Sequence, residues 1–333
     1  MKSILLTGGS GYVGTRLTFL LLKLKKYVVV NYDTSYFGDE HLPIQDQNYF
    51  YYKQDIRNSE QFEKILNKHK IDIVIHLACI SNDPSYLLNP LLSKEINFDC
   101  FENLVIKSKN SGVKKFIYAS TCSVYGVSEK DNVDENHPLL PITDYNKYKG
   151  MCEPQLINQL DNNFQGLIIR PATVCGYSEK MRFDLTVNIL TNFAFNKGFI
   201  KVFGGEQFRP NTHIDDMCDL YVFLIEKDFS KINGEIYNFG YQNLKVKDIA
   251  QIVKDVVEKK TNKKIEIIFE KSDDIRSYRV NSDKIQNKLG FKFKKSVKDA
   301  VEDLIDNFQN GKIKNSFDEK FQNVKVLQNN KIN

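Results

Sequence analysis

Tyr145 and Lys149 stand four residues apart in Tyr145-Asn146-Lys147-Tyr148-Lys149, and a helix over 142–160 puts them one turn apart on a single face. Such a pair can move a proton. An ammonium beside a phenol favours the phenolate, so a tyrosine with a free pKa of about 10 can serve as a general base nearer neutrality. Just upstream, Ser120-Thr121-Cys122-Ser123-Val124-Tyr125-Gly126 follows a predicted strand, and Thr121 could hydrogen-bond the reacting oxygen. The Tyr-x-x-x-Lys spacing alone also suits a solvated helix face in a lysine-rich chain, so the surrounding elements decide what it means.

Those elements alternate. Ser3 to Thr7 is a short apolar run without alternation, the pattern of a strand buried on both faces of a parallel sheet. It leads into Gly8-Gly9-Ser10-Gly11-Tyr12-Val13-Gly14. Glycines at 8, 11 and 14 permit a tight turn, close approach of backbone to a pyrophosphate and close helix packing. The helix that follows, from Tyr12 and Val13, aims its N-terminus at the phosphates. A second strand, Tyr27 to Tyr32, ends at Asp33, an acid that can bind both adenosine ribose hydroxyls and repel a 2′-phosphate, which favours NAD over NADP.

Strands at 49–53, 71–77 and 113–119 then alternate with helices at 58–69 and 87–110, the second carrying Asn97. This is the signature of a doubly wound α/β fold with a parallel sheet, whose ligands bind beyond the carboxyl ends of the strands.

The 333 residues hold 47 basic and 42 acidic side chains, a net charge of +5 dispersed along the chain. With no nucleic-acid motif beside them, the lysines read as solvated faces, and no nucleic-acid partner is expected. Six separated cysteines show no zinc spacing and suit a reduced, cytoplasmic protein; no metal is expected. No apolar run reaches the length of a membrane span.

Taken together, Thr7-Gly-Gly-Ser-Gly-Tyr-Val-Gly14, Asp55-Ile56, His76-Leu77-Ala78, Asn97, Ser120-Thr121, Tyr145-x-x-x-Lys149 and Arg170-Pro171 resemble the extended short-chain dehydrogenase/reductases, in particular the NAD-dependent nucleotide-sugar epimerases and dehydratases. The resemblance covers roughly residues 1–310. It implies a Rossmann-type NAD domain over 1–170 to which some later segments return, a smaller C-terminal α/β substrate lobe over 171–312, a polar tail over 313–333, and a homodimer. Thr121, Tyr145 and Lys149 would be catalytic, with Lys149 also holding the nicotinamide ribose. Asp55 and Ile56 would contact adenine, and Leu77, Ala78 and Asn97 complete the cofactor set. The substrate, a nucleoside diphosphate sugar, would meet Thr121, Tyr145, Thr173, Arg209 and Arg276. Arg209, four residues before His213, matches the family's diphosphate-binding arginine.

Three departures stand out. Cys122-Ser123 replace the acidic pair of dTDP-glucose dehydratases, which disfavours simple 4,6-elimination. Val174-Cys175-Gly176-Tyr177 and Ile80-Ser81-Asn82-Asp83-Pro84 depart from the usual substrate-side loops, so the sugar is expected to be unusual. His213 reads as structural, and Cys122 and Cys175 as packed thiols. The leading expectation is a 4-epimerase that oxidises C4 transiently; a C4 dehydrogenase or a dehydratase is the alternative, and a non-catalytic dinucleotide-binding protein is a third reading. Beyond Asn310 the Lys-, Asn- and Gln-rich tail is expected to be mobile or loosely docked.

Overall fold

The computed structural model describes residues 1–128, 132–272 and 277–330. Ile4, Leu5 and Leu6 of β1 (Lys2–Thr7) are fully buried, as an unalternating run requires when helices cover both faces of a sheet. The chain continues through α1 (Tyr12–Lys23), β2 (Tyr27–Asp33), β3 (Tyr49–Lys53), α2 (Ser59–His69) and β4 (Ile73–His76). Then come α3 (Asp83–Tyr86), α4 (Pro90–Lys94), α5 (Phe101–Asn110), β5 (Lys115–Ala119), α6 (Asp144–Ile157) and β6 (Gln165–Pro171).

The C-terminal part holds β7 (Thr173–Cys175), α7 (Thr186–Lys197), β8 (Phe199–Phe203), β9 (Phe208–His213), α8 (Ile214–Glu226), β10 (Ile236–Phe239) and β11 (Gln242–Lys245). It closes with α9 (Val246–Thr261), β12 (Glu266–Glu270), α10 (Val297–Gln309) and α11 (Asn323–Asn329).

Seven strands form one sheet in the order β10-β6-β5-β4-β1-β2-β3, every pairing parallel. Strand order reverses between β1 and β4, so a crevice opens beyond their carboxyl ends. Smaller sheets, β11-β9-β7 and β12-β8, build a second lobe with α7, α9 and α10. The fold is the Rossmann-type doubly wound sheet with a smaller C-terminal α/β lobe. Among the described residues no helix is long and apolar enough to cross a membrane, and all six cysteines are free.

Two expectations need correcting. The helix read over 87–110 is broken into α4, a π turn at Glu95–Asp99 and α5, with α3 before it. Asn82 and Asn89 each accept an amide hydrogen bond, from Ser85 and Leu92, and Pro84 and Pro90 sit in the turns they cap, so each starts a new helix. The segment after Asn310 is docked rather than loose. Ile313, Asn323 and Leu327 are buried, and Phe321 packs edge-on against Phe183 at 5.6 Å. Ile313 joins the apolar cluster on one side of the sheet and Leu327 the cluster on the other, so the segment passes from one face to the other.

Candidate active site

A cavity of about 560 Å3 lies over the crevice. At its floor Gly8 has φ +75°, and a Cβ there would fall 2.6 Å from the Ala78 nitrogen. A Cβ on Gly14 would run into the Gly8 carbonyl oxygen. Gly11 is the N-cap of α1 and offers no side-chain cap, so the amides of Tyr12, Val13 and Gly14, all lining the cavity, are placed where an anion could accept from them. The Tyr12 hydroxyl donates to the Gly176 carbonyl at 2.6 Å and the Tyr12 backbone carbonyl accepts from Ser178 Oγ at 2.7 Å, which fixes the first residue of α1.

Asp33, at the end of β2, accepts from the amides of Ser10 at 2.9 Å and Ser35 at 2.7 Å. Burial pushes its pKa up, while those hydrogen bonds oppose the shift. A dinucleotide fits these residues: a glycine cradle, an uncapped helix end and a carboxylate placed for a ribose.

Asp55, Ile56, Leu77 and Ala78 line the same cavity, Asp55 paired with Arg57 at 2.8 Å. Asn97 does not. Its side-chain oxygen accepts from the Ile80 amide at 2.8 Å and its NH2 donates to the Ile80 carbonyl at 3.0 Å. These bonds clamp the loop after β4.

At the other end, Thr143 caps α6 by accepting from the Asn146 amide at 3.3 Å and donates its own proton to Asp83 at 2.6 Å. The capped helix turns Tyr145 and Lys149 to the cavity wall, with Thr121 beside them. Thr121 Oγ1 shares a hydrogen bond with Ser123 Oγ at 2.8 Å, and Ser123 donates onward to Asn146.

Lys149 donates to the Ala119 carbonyl at 2.5 Å and lies 4.5 Å from the Tyr118 ring centre. Burial pushes the Tyr145 phenol well above its ordinary range; Cys79 and Asp83 add to this, and Arg182 opposes it. The Lys149 ammonium is directed to the end of β5.

Behind Thr121 a buried polar network fixes the strand end. Ser120 donates to Glu153 at 2.6 Å, Glu153 takes both arms of Arg170 at 2.9 and 2.6 Å, and Arg170 donates to Tyr125 at 2.6 Å. Cys122 donates to the Arg170 carbonyl at 2.8 Å, and burial pushes its thiol up to about 12. Cys175 is buried too, its pKa raised by desolvation. Both are packed thiols and neither is activated.

Thr173 and Arg209 reach the cavity from β7 and β9, and Arg276 lies outside the described residues. His213 does not line the cavity. Its Nδ1 accepts from the Asp215 amide at 3.0 Å, capping α8, and its Nε2 lies 3.1 Å from Asp303. Lys295 spans Asp215 and Asp303 at 2.8 and 3.0 Å, so an ammonium already serves this acidic group.

Several cavity residues escaped the sequence reading: Lys180, Arg182, Asp184 and Asn323. No motif marks them. The loop Ile80-Ser81-Asn82-Asp83-Pro84, singled out in the sequence as an unusual substrate-side loop, does line the cavity. Lys180 donates to the Lys320 carbonyl at 2.9 Å, and burial pushes its pKa down to about 8.

The sequence model of the NAD dependent epimerase/dehydratase family matches residues 4–240. A UDP-glucose 4-epimerase of Lactobacillus helveticus is 26% identical over 75% of this chain and 81% of its own. A dTDP-D-glucose 4,6-dehydratase of Mus musculus is 27% identical over 93% of this chain and 91% of its own. The crystal structure of UDP-glucose 4-epimerase from Thermotoga maritima with UDP-glucose superposes with a TM-score of 0.79 at 25% identity, over 93% of this chain and 99% of that one. NAD is the cofactor, and the cradle of Gly8, Gly14 and Asp33 suits it. Since the matched stretch runs from β1 through β10 and so takes in the whole main sheet, this chain belongs to the NAD-dependent epimerase/dehydratase family.

Proposed function

We propose that the protein is a nucleotide-sugar 4-epimerase working by transient oxidation at C4. The observation that carries the reading is the meeting of Thr121, Tyr145 and Lys149 on one wall of the cavity that the uncapped α1 also faces. NAD, when bound, supplies the hydride acceptor and later the donor. The amides of Tyr12, Val13 and Gly14 would hold its pyrophosphate, Asp33 the adenosine ribose, and Asp55 and Ile56 the adenine.

Tyr145 takes the proton of the C4 hydroxyl, and Thr121 orients that oxygen through its own hydroxyl. Lys149 lies one turn along α6, and a move of its ammonium from the Ala119 carbonyl toward the phenol would bring the high Tyr145 pKa down when charge develops. Lys149 would also hold the nicotinamide ribose. Arg209 and Thr173 would meet the nucleotide-sugar, the guanidinium taking the diphosphate by paired N–H bonds.

Positions 122 and 123 offer no carboxylate, and Cys122 is buried with its thiol bonded to backbone, which speaks against elimination at those positions. Asp83 and Asp184 line the same cavity, and this favours, as the second reading, a lyase with its acid elsewhere. Net C4 oxidation is the third outcome.

NADH absorbance and substrate loss should be followed together on a panel of UDP-, GDP-, CDP- and dTDP-sugars. Loss of substrate without accumulating NADH, with a C4 epimer seen by NMR, is the expected result; NADH rising in step with substrate loss makes the enzyme a dehydrogenase. Tyr145→Phe should lower kcat by roughly 10²–10⁴-fold while bound NAD stays at the wild-type level.

A further inference from the structure

Next to Tyr145, three segments far apart in sequence form one hydrogen-bonded wall. Arg182 and Asp184 meet fork to fork, Nε to Oδ1 at 3.0 Å and Nη2 to Oδ2 at 2.9 Å. Arg182 Nη1 donates to Ser81 Oγ at 3.0 Å, and Asn323 Nδ2 donates to the same hydroxyl at 3.3 Å. Asn82 donates to Asp184 Oδ2 at 3.2 Å. It does so from φ 72° and ψ 155°, a conformation side chains adopt at a cost, so the surroundings must impose it. All five residues line the cavity shared with Tyr145 and Thr121, and the Arg182 and Asp184 side chains are only 12% and 16% exposed.

A guanidinium has five N–H groups, of which Asp184 and Ser81 take three. Two remain for a ligand. Its charge, however, is already matched by a carboxylate in the geometry that satisfies both ions best. A ligand carboxylate would have to compete with Asp184 and stand in its field. A hydroxyl loses nothing there, since it accepts from Arg182 and donates to a carboxylate oxygen.

Building on the nucleotide-sugar reading above, we propose that this wall reads the hydroxyl groups of an uncharged sugar and rejects sugars that carry a carboxylate, with Arg182 and Asp184 as its specificity-determining residues. Asn323 makes the C-terminal segment part of the binding site, since it holds Ser81 in register with Arg182.

The test pairs a neutral hexose with its 6-carboxylate on one nucleotide: UDP-glucose with UDP-glucuronate, GDP-mannose with GDP-mannuronate. Wild-type enzyme should favour the neutral member by about 10-fold or more in kcat/KM. Asp184→Asn keeps the shape of the wall but frees the guanidinium charge, and should narrow that ratio by lowering KM for the carboxylate sugar. Arg182→Lys keeps the charge and loses the fork, and should lower kcat/KM for the neutral sugar about 10-fold with bound NAD unchanged. Thermal midpoints and NAD content confirm that each variant is folded.

A wild-type preference for the carboxylate sugar overturns the proposal, as does a ratio that neither variant moves. If no nucleotide-sugar is turned over, the epimerase reading fails by itself. Calorimetric binding of UDP-glucose against UDP-glucuronate then decides the wall's preference without reference to turnover.

Discussion

His76, the last residue of β4, is buried with Nδ1 2.9 Å from the Thr7 hydroxyl, and the rings of Phe101, Phe116 and Tyr118 surround it. Desolvation, aided by the nearby charge of Lys149, pushes its pKa down to about 3. In an unfolded chain the same group titrates near about 6.5. Between those two values the unfolded chain binds a proton that the folded one refuses. Its contribution is therefore intact above about 6.5 and is lost as the pH falls, by about 1.4 kcal/mol per pH unit. Urea unfolding at pH 7, 6 and 5 should show that extra slope in the wild type relative to His76→Gln, and equal slopes would contradict it. Asn97 and Lys149 teach the same lesson from the other side. Their types are those expected at a cofactor site, yet one is spent on the Ile80 backbone and the other on the Ala119 carbonyl.

Among the elements, α11 separates two views of the C-terminal segment. It is a short helix in a polar stretch, and it packs through the face that carries Asn323 and Leu327. Leu327 is buried against the cluster that covers β2 and β4, and Asn330 donates to the Tyr36 carbonyl at 3.0 Å on the adenosine side of the cavity. A docked α11 predicts that Leu327→Ala costs about 2 kcal/mol or more in denaturant unfolding and speeds loss of bound NAD. A loosely attached tail would leave stability within about 0.5 kcal/mol of the wild type. The α3–α4 region makes the complementary point: Asn89 with Pro90 starts α4 at Pro90 rather than at Leu87, and the π turn at Glu95–Asp99 interrupts what the apolar pattern read as one long helix.

For the whole molecule, the homodimer implied by family resemblance would need an apolar surface, and exposed side chains on and beside α4 and α6 are where we propose it lies. Leu87 and Leu91, at the turn into α4 and within it, are 68% and 69% exposed, and Met151 on α6, which packs against α4, is 41% exposed. Exposed apolar side chains of this kind would suit a self-complementary two-fold contact. Light scattering on the eluted protein should give twice the 38.6 kDa chain mass. Leu91→Glu should return the single-chain mass without unfolding the chain. A wild type that runs as a monomer at micromolar concentration would remove the dimer.

What the sequence determined by itself was whatever depends on neighbours along the chain. Unalternating apolar runs identified the parallel strands, because burial on both faces leaves no polar side. Gly8 and Gly14 marked the cradle, since only a residue without a Cβ clears the backbone they touch. Tyr145 and Lys149 could be paired because one helix carries both. The tertiary structure alone decided where those groups point and what joins them. Arg182 finds Ser81 across 101 residues and Asn323 finds it across 242, and contacts at such separations leave no period, cap or spacing in the sequence. The β7, β9 and β11 strands were likewise hidden, being short, partly polar and paired with distant segments. The reacting groups were therefore legible and the wall that would select their substrate was not, because one helix face and one strand end supply the first and chain closure alone assembles the second.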